Sequence, residues 1–378
     1  MTICPNSSAI GDPGMSASFR INNFDLIRLA AALQVAIYHS CQHLKVFNDS
    51  TVITLLHHVP GVPVFFFVSG FLISRSYESN SVIREYGLNR AFRIFPALWV
   101  CTILAVLAVT ATGYLATQEY SRLQFIAWIV GQMSFVQFWN PPFMRGFGIG
   151  VLNGSLWTIS VELQFYILVP ILYRTLGRFG KVGMDRAILM LIPCFAAFGV
   201  IFHRMHVGHE EQTALKLLYV TFLPWFWMFL VGVWSQRNFE YLHGLLARPG
   251  RIVACFLAFV ACSWASENLL GSRSGNAIDP LAFLPLAAVI FGCAYTLPTL
   301  AERLLRRNDI SYGVYIYHLP LVNLAMWLGL GGALLHVGYV LVGAVTLATL
   351  SWVLVERPCL RMKRRPLNPL AVKAPPDS

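Results

Sequence analysis

Apolar runs of about 20 residues recur along almost the whole chain, and this pattern constrains the fold more than any other feature. A helix needs roughly 20 mostly apolar residues to cross the hydrocarbon core of a bilayer. In this chain 57% of the 378 residues are hydrophobic and 12% are charged, about half the charge of an ordinary soluble domain. The sequence therefore predicts an all-α, polytopic integral membrane protein. Ten runs qualify as transmembrane helices: 24–43, 59–75, 95–114, 154–174, 186–203, 214–234, 251–269, 278–299, 310–329 and 333–355.

The gaps between these runs are too short to hold an independent soluble domain. We predict three parts: a cytoplasmic tail over 1–23, a membrane domain over 24–356, and a basic, proline-rich cytoplasmic tail over 357–378. The first 20 residues have no basic stretch leading into an apolar one, so no removable signal peptide is expected. The proline-rich end of the chain is expected to be disordered.

The formal net charge of +11 comes from cations that lie between the apolar runs, not from a basic stripe that would bind nucleic acid. With ten spans and a cytoplasmic N-terminus, all but six of the 28 Lys and Arg residues fall on the cytoplasmic side. This asymmetry follows the positive-inside rule, and it predicts that both termini lie in the cytoplasm. Counting 123–139 as a further span would move the cations of 174–186 outside, so we predict that 123–153 is an extracytoplasmic lid or re-entrant piece.

Neither cysteines nor histidines form a metal-binding pattern. The eight cysteines are scattered, mostly within apolar runs, which predicts neither a disulfide framework nor a zinc site. The histidines and glutamates of 203–211 are residue types that bind metals. At three-residue intervals, however, successive side chains turn away from a common helix face and do not converge on one site. His57 and His58 do not form a metal-binding pattern either, so no metal is expected.

Arg28 and His39 are the first candidates for chemistry, because ionisable side chains within a span are costly to bury. Their separation of eleven residues corresponds to about 1100° of helical turn and about 16 Å of rise. Both therefore lie on one helix face, with Arg28 near the cytoplasmic edge and His39 in the outer half. The pair suits a long donor with an anionic end and a reactive end, such as coenzyme A. Alternatively, Arg28 reaches the lipid interface and His39 is a hydrogen-bonded packing residue.

Six short motifs in order extend this pattern over the membrane region. They are FDLIRLAA at 24–31 followed by His39, FFFVSGFLI at 65–73, RAFRIFP at 90–96, GSLWTISVE at 154–162, ISYGVYIYH at 310–318 and ERP at 356–358. Together they resemble acyltransferase family 3, the membrane acyltransferases that include O-antigen, exopolysaccharide and Nod-factor O-acetylating enzymes. Each motif alone is weak evidence for this family, whereas six motifs in this order are specific evidence for it.

The resemblance implies a role for ten side chains. It implies that His39 and Glu162 are catalytic, with His39 as the general base and Glu162 orienting or charge-stabilising it. The side chains expected to bind the acyl-CoA donor are Arg28, Arg90, Arg93, His318 and Tyr317. Those expected to bind substrate are Trp157, Ser160 and Ser69.

Several of these residues also have a purely structural interpretation. Arg90 and Arg93 are one turn apart and would grip phosphate oxygens together, yet ordinary cytoplasmic arginines have the same placement. Glu162 is alternatively a hydrogen-bonding anchor, and His318 alternatively a contact between helices. Glu356 and Arg357 are expected to form a local ion pair.

The expected function is transfer of an acetyl or similar acyl group from cytoplasmic acyl-CoA to a hydroxyl of an extracytoplasmic glycan or lipid-linked glycan. A covalent acyl-histidine intermediate is a variant of this mechanism. One alternative is a secondary transporter that uses Arg28, Glu162 and His318 as a substrate or proton path. Another is a non-catalytic membrane partner of a polysaccharide assembly complex. The acceptor glycan, the acyl group and the oligomeric state are left open by the sequence.

Overall fold

The computed structural model describes residues 22–47, 50–209, 211–271, 275–306 and 308–362. Most of the two predicted tails lies outside this part of the chain, as do Cys4, Glu210, Arg273 and Arg307. Within these ranges the chain is helical and contains no strand, which confirms the all-α prediction. The seven cysteines in these ranges are free thiols.

Sixteen α-helices follow one another in the described residues. They are α1 (Phe24–His43), α2 (Thr51–His58), α3 (Gly61–Ser79), α4 (Ile83–Ala111), α5 (Arg122–Gln132), α6 (Trp157–Leu176), α7 (Gly180–His206), α8 (Thr213–Tyr219), α9 (Phe226–Arg237), α10 (Phe239–Leu246), α11 (Pro249–Leu270), α12 (Pro280–Tyr295), α13 (Leu300–Leu305), α14 (Ser311–Trp327), α15 (Leu334–Ser351) and α16 (Arg357–Met362). A π-helical turn, Trp352–Glu356, joins α15 to α16.

Five helical stretches in the described residues are long and apolar enough to cross a membrane, judged by length and composition. They are Thr51–Ser79, Ile83–Ala111, Gly154–His206, Pro249–Leu269 and Leu334–Met362. Helices α9, α12 and α14 are shorter, with 12, 16 and 17 residues, so the count of ten spans stays a prediction. Helix α5 has 11 residues and a length of about 16 Å, well short of a hydrocarbon core of about 30 Å. The assignment of 123–153 as a lid or re-entrant piece stays a prediction.

Helices α3 and α9 cross with their backbones in contact, and two glycines allow this approach. A Cβ atom on Gly70 would lie 2.0 Å from the carbonyl oxygen of Phe229, and one on Gly232 would lie 2.1 Å from that of Phe67. Small residues at such crossings let membrane helices pack closely where lipid gives no hydrophobic driving force. The crossing fixes α3, which carries Ser69 and part of the cavity walls described below.

Gly70→Ala is expected to destabilise the protein by about 1–3 kcal/mol or more, because the added methyl group must push the α9 backbone away. Thermal unfolding of the purified protein in detergent measures the effect. Gly87→Ala on α4 is the matched control, since no atom lies within 4 Å of its added Cβ atom. If both variants unfold at the wild-type temperature, the α3–α9 contact is looser than described.

Charged side chains gather at one end of the helix bundle, which we call the arginine end. Arg237 on α9 pairs with Glu78 at 3.0 Å and with Asp185 at 2.5 Å, and Arg93 on α4 pairs with Asp309. These ion pairs join the helix termini that the positive-inside rule predicts on one side of the membrane. The opposite end, which we call the histidine end, carries His39, His57 and Trp157.

The segment between α5 and α6 docks on α14 at a proline. Pro320 has no N–H, so the carbonyl oxygen of Ile316 lacks its helical donor. The amide of Asn153 donates to that oxygen at 2.7 Å. Asn323 on the next turn donates to the carbonyl groups of residues 151 and 152 at 2.8 and 3.0 Å. The segment before α6 is thus tied to the helix that carries His318.

Candidate active site

Two of the predicted donor-binding arginines share one carboxylate. Arg28 lies 2.5 Å from Oδ2 of Asp309, and Arg93 contacts the same oxygen. The other oxygen, Oδ1, accepts hydrogen bonds from the backbone N–H and hydroxyl of Ser311 at 3.1 and 2.5 Å. Burial raises the pKa of Asp309, but the two guanidinium groups outweigh burial and hold this pKa below the ordinary value of a carboxyl. A charged Asp309 therefore holds two cations from different helices together.

Arg90 is held differently from Arg28 and Arg93. One of its terminal nitrogens donates to Ser76 at 3.1 Å, and its guanidinium group lies 5.8 Å from the ring centre of Tyr166. Its Nε atom is buried and has no hydrogen-bond partner among the described residues. A buried N–H without an acceptor is costly. An anionic ligand oxygen at this position would satisfy it.

Glu162 does not lie in hydrogen-bonding contact with His39 in this structure, although the sequence predicted it as the partner of that imidazole. Its carboxylate accepts hydrogen bonds from the hydroxyl groups of Ser69 at 3.0 Å and Tyr166 at 2.6 Å. It lines the same cavity as Arg28. The carboxylate therefore lies beside the arginines, on the way to His39.

His39 is paired with another histidine. Its Nδ1 atom lies 3.0 Å from Nε2 of His318, and the two rings stack with centroids 5.3 Å apart. Nδ1 of His318 lies 2.7 Å from the carbonyl oxygen of Tyr315, and the His318 side chain is fully buried. The sequence left open whether His318 lines the donor channel or bonds a neighbouring helix. The structure places it behind His39, where it joins α14 to α1.

The chain of hydrogen bonds determines which nitrogen of a neutral His39 carries the proton. A carbonyl oxygen only accepts, so Nδ1 of His318 must be the N–H and its Nε2 the acceptor. Nδ1 of His39 must then donate to that Nε2. The lone pair of His39 is left on Nε2, the nitrogen that a general base would use.

Three neighbouring cavities lie between the arginines and His39. The inner cavity, of 60 Å³, is lined by the three arginines and Glu162. The middle cavity, of 30 Å³, shares Arg28, Ser69 and Glu162 with the inner one. A volume of about 30 Å³ is that of one water molecule in the liquid, so the middle cavity is the narrowest of the three. Aromatic rings form much of its wall.

The outer cavity, of 160 Å³, lies at the histidine end. It shares Val62 and Tyr315 with the middle cavity and is lined by His39 and Trp157. The three cavities therefore follow one another from the arginine cluster to His39, and each shares lining residues with the next. This row of cavities, which we call the path, covers the distance of about 16 Å that α1 spans between Arg28 and His39.

Two of the remaining predicted site residues lie off this path. The Ser160 hydroxyl donates to Gln137 at 2.5 Å and is buried beneath the segment before α6. Tyr317 is buried on α14 and lines none of the three cavities. Ser69 and Trp157, in contrast, line the middle and outer cavities respectively.

The expected ion pair between Glu356 and Arg357 is absent from the described structure. Glu356 is 1% exposed and accepts a hydrogen bond from Ser351 at 3.3 Å, whereas Arg357 is exposed. The π-helical turn that ends at Glu356 directs the carboxylate into the protein, so the two side chains do not meet although they are neighbours in sequence. No group of three potential metal ligands comes together within the described residues.

Asp309 is the site residue that the sequence reading missed. It lies just before the ISYGVYIYH motif and belongs to none of the six motifs, so the sequence gave no reason to place it between two arginines. A weak signal was present, since an aspartate next to a helix start commonly accepts hydrogen bonds from nearby backbone N–H groups, as Asp309 does from Ser311. Its pairing with Arg28 and Arg93 depends on the tertiary fold.

Comparisons with known proteins find one matching family and several relatives. Residues 21–356 match the acyltransferase 3 family, described as an acyltransferase domain. Nodulation protein 10 of Rhizobium leguminosarum bv. viciae is 31% identical over 368 residues, which cover 94% of this chain and 97% of that protein. An O-acetyl transferase of Shigella phage Sf6 is 26% identical over 360 residues, covering 89% and 95%.

A peptidoglycan O-acetyltransferase, OatA of Listeria monocytogenes, is 23% identical over 288 residues, covering 70% of this chain and 45% of that protein. No solved structure was found to match the chain. The family match spans the helices that carry the arginine cluster, the three cavities and the histidine pair. The chain therefore belongs to acyltransferase family 3 and is an acyltransferase.

Proposed function

We propose that this protein transfers an acetyl or similar short acyl group from cytoplasmic acyl-CoA to a hydroxyl of a glycan on the outer side of a bacterial inner membrane. The observation that carries the proposal is the path of cavities from three arginines at one end of the bundle to His39 near the other. Relatives named as O-acetyl transferase and peptidoglycan O-acetyltransferase support the choice of a glycan hydroxyl.

The arginine end suits the anionic part of the donor. Arg28, Arg90 and Arg93 line the inner cavity, and guanidinium groups bind phosphate oxygens with paired, charge-assisted hydrogen bonds. Arg90 has a buried N–H without a partner among the described residues, and Asp309 offsets only part of the positive charge. With the phosphates at this end, the acyl thioester would extend along the path past Glu162 toward His39. The rings that narrow the middle cavity must move apart to let it pass.

His39 is the proposed general base. Sugar hydroxyls are weak nucleophiles near neutral pH, so proton removal by a positioned imidazole accelerates attack. Nε2 of His39 takes the hydroxyl proton as the oxygen bonds to the thioester carbonyl carbon. The carbon–sulfur bond then breaks, and the proton passes from His39 to the departing thiolate, so the products are the O-acyl glycan and free coenzyme A. His318, rather than Glu162, orients the base, and Glu162 is assigned to the donor path.

Label transfer tests the proposal. Purified protein in proteoliposomes receives acetyl-CoA labelled in the acetyl group, together with a membrane and glycan fraction from the bacterium that produces it. Label is expected in alkali-labile esters on glycan, with one coenzyme A released per ester. Movement of an intact solute without ester formation would point to a transporter, and no turnover with donor and acceptor present would point to a non-catalytic partner.

His318→Ala is expected to lower kcat substantially, because His39 loses the acceptor that fixes its tautomer, while the KM for acetyl-CoA stays near the wild-type value. His318→Gln is the matched variant, since its side-chain oxygen can reach the position of Nε2 and accept the same hydrogen bond. We expect His318→Gln to recover part of the lost kcat. If both variants raise the KM for the donor and leave kcat unchanged, His318 belongs to the donor channel.

A further inference from the structure

A fourth cavity, at the arginine end, has no part in the mechanism above, and we call it the large cavity. Its volume is 750 Å³, within the range of about 300–1,000 Å³ that is typical of ligand pockets. Its walls come from α3, α6, α7, α9 and α10, and they include Arg75, Tyr173, Lys181, Arg237 and Tyr241. The cavity is open to the outside, so a small molecule can enter it.

The large cavity follows the inner cavity along two helices. On α3, Val62 lines the outer cavity, Ile73 the inner cavity and Glu78 the large cavity. On α6, Trp157 lines the outer cavity and Tyr173 the large cavity. Only about 8 Å of helical rise separates Ile73 from Glu78. The large cavity is therefore the next space beyond the arginines, on the side where the proposed donor enters.

The inner cavity is too small for the whole anionic part of that donor. Its volume is 60 Å³, about that of two water molecules in the liquid. Its three arginines can reach a diphosphate, but the cavity cannot also enclose an adenosine with its 3′-phosphate. In the proposed function these groups must lie further out at the arginine end, and the large cavity offers the space there.

The lining of the large cavity provides a cation for a phosphate. Its charged residues are three cations and two carboxylates: Arg75, Lys181, Arg237, Glu78 and Glu240. Arg237 pairs with Glu78 at 3.0 Å, and Arg75 lies 3.9 Å from the same carboxylate. Lys181 accepts a hydrogen bond from Arg237 through its backbone oxygen, and its ammonium group has no hydrogen-bond or ion-pair partner among the described residues. Lys181 is therefore a cation that a ligand phosphate can bind.

The same lining provides an aromatic surface for a base. Tyr241 on α10 lines the cavity, and 69% of its surface is exposed. Nucleobases stack on such aromatic side chains, because every base has a flat π face. Asn238, which also lines the cavity, adds a side-chain amide that can bond to the edge of a base. Aromatic surface, an amide and a cation are the groups that bind a nucleotide.

We infer that the large cavity holds the adenosine 3′-phosphate end of the acyl-CoA donor, with the base against Tyr241 and the 3′-phosphate at Lys181. The inference rests on the proposed function and adds the binding site of the nucleotide. The diphosphate then reaches the arginines of the inner cavity, and the thioester extends from there toward His39. An anionic lipid head group shares the phosphate chemistry, so the test separates the two ligands.

Adenosine 3′,5′-bisphosphate, the nucleotide part of coenzyme A, is the probe for this site. In phosphatidylcholine vesicles it is expected to displace labelled coenzyme A from the wild-type protein. Added phosphatidylglycerol should leave this competition unchanged. Absence of competition would overturn the inference. Competition that disappears when phosphatidylglycerol is present would assign the cavity to a lipid head group, and it would also overturn the inference.

A variant of Lys181 locates the 3′-phosphate. Lys181→Ala is expected to raise the Kd for coenzyme A about threefold to tenfold, and to leave the Kd for 3′-dephospho-coenzyme A unchanged. Arg186→Ala is the matched control, because Arg186 is an exposed cation on the same helix and lines none of the four cavities. Equal effects of the two variants, or equal effects on the two forms of coenzyme A, would contradict the assignment.

A variant of Tyr241 locates the base. Tyr241→Ala should raise the Kd for both forms of coenzyme A about fivefold or more, since both carry the adenine. Tyr339→Ala on α15 is the control, because Tyr339 is 59% exposed and lines none of the four cavities. If both variants bind coenzyme A like the wild type while the wild type forms labelled esters, the nucleotide site is wrong and the proposed function stands. If the wild type forms no ester from acetyl-CoA, the proposed function itself fails.

Discussion

His39→Ala is expected to lower kcat for acyl transfer by about 10²–10⁴-fold, the usual contribution of a positioned general base. Alanine removes the only described imidazole that both lines the outer cavity and receives a tautomer-fixing contact from His318. Because Arg28 is about 16 Å away along α1 and Arg90 and Arg93 line the same inner cavity as Arg28, the dissociation constant for acetyl-CoA should change little. Labelled-ester formation measures kcat, and equilibrium binding of coenzyme A measures the donor site.

His43→Ala is the matched control for this experiment. His43 lies one turn further along α1, with its ring 5.9 Å from that of His39, and it lines none of the three cavities. We expect this variant to keep most of the wild-type rate. If His39→Ala folds, inserts in the membrane and still forms esters at the wild-type rate, His39 is not the base and the proposed mechanism fails.

Asp309→Ala is expected to destabilise the protein by about 3–5 kcal/mol, the cost of leaving a buried ionic partner uncompensated. Asp309 is 7% exposed, and the variant would leave Arg28 and Arg93 facing each other without it. Reversible unfolding by dodecyl sulfate in mixed micelles measures the free energy. Coenzyme A should restore more stability to this variant than it gives the wild type, because its phosphates replace the missing carboxylate.

Glu211→Ala is the control for a surface ion pair. Glu211 also contacts a cation, Lys216 at 2.7 Å, but its side chain is 97% exposed. Solvent screening makes such a pair nearly neutral for stability, so little change is expected. An Asp309→Ala protein as stable as the control would show that the two arginines do not depend on the carboxylate.

The stability contributed by Asp309 should also depend on pH in a defined direction. Its pKa is lower in the folded protein than its ordinary value of 3.8, so folding favours the charged form. The contribution is therefore complete above about pH 5 and declines as the pH falls from about 4 toward the lowered folded value. The stability difference between wild type and Asp309→Asn should be constant near neutral pH and shrink only in acid. A difference that grows on acidification would contradict the direction of the shift.

Much of this protein could be predicted from local sequence features. Apolar runs of membrane-spanning length predict a helical membrane protein. In a bilayer the backbone N–H and C=O groups find no water, and a helix lets them hydrogen-bond to one another. The eleven-residue spacing of Arg28 and His39 places them on one helix face by geometry alone. Six motifs in their order along the chain indicated acyltransferase family 3, and the family match over residues 21–356 confirmed this assignment.

Contacts between residues far apart in the chain were decided only by the tertiary structure. The sequence placed Glu162 beside His39 because both were expected at similar depth, but depth does not specify which helices are neighbours. Packing of α14 against α1 instead brings His318, 279 positions along the chain, to His39, and the same packing puts Asp309 between Arg28 and Arg93. Helical periodicity is a local property that one sequence displays. The choice of partner across a helix interface depends on how all the side chains fill the space between helices, and it exists only in the folded chain.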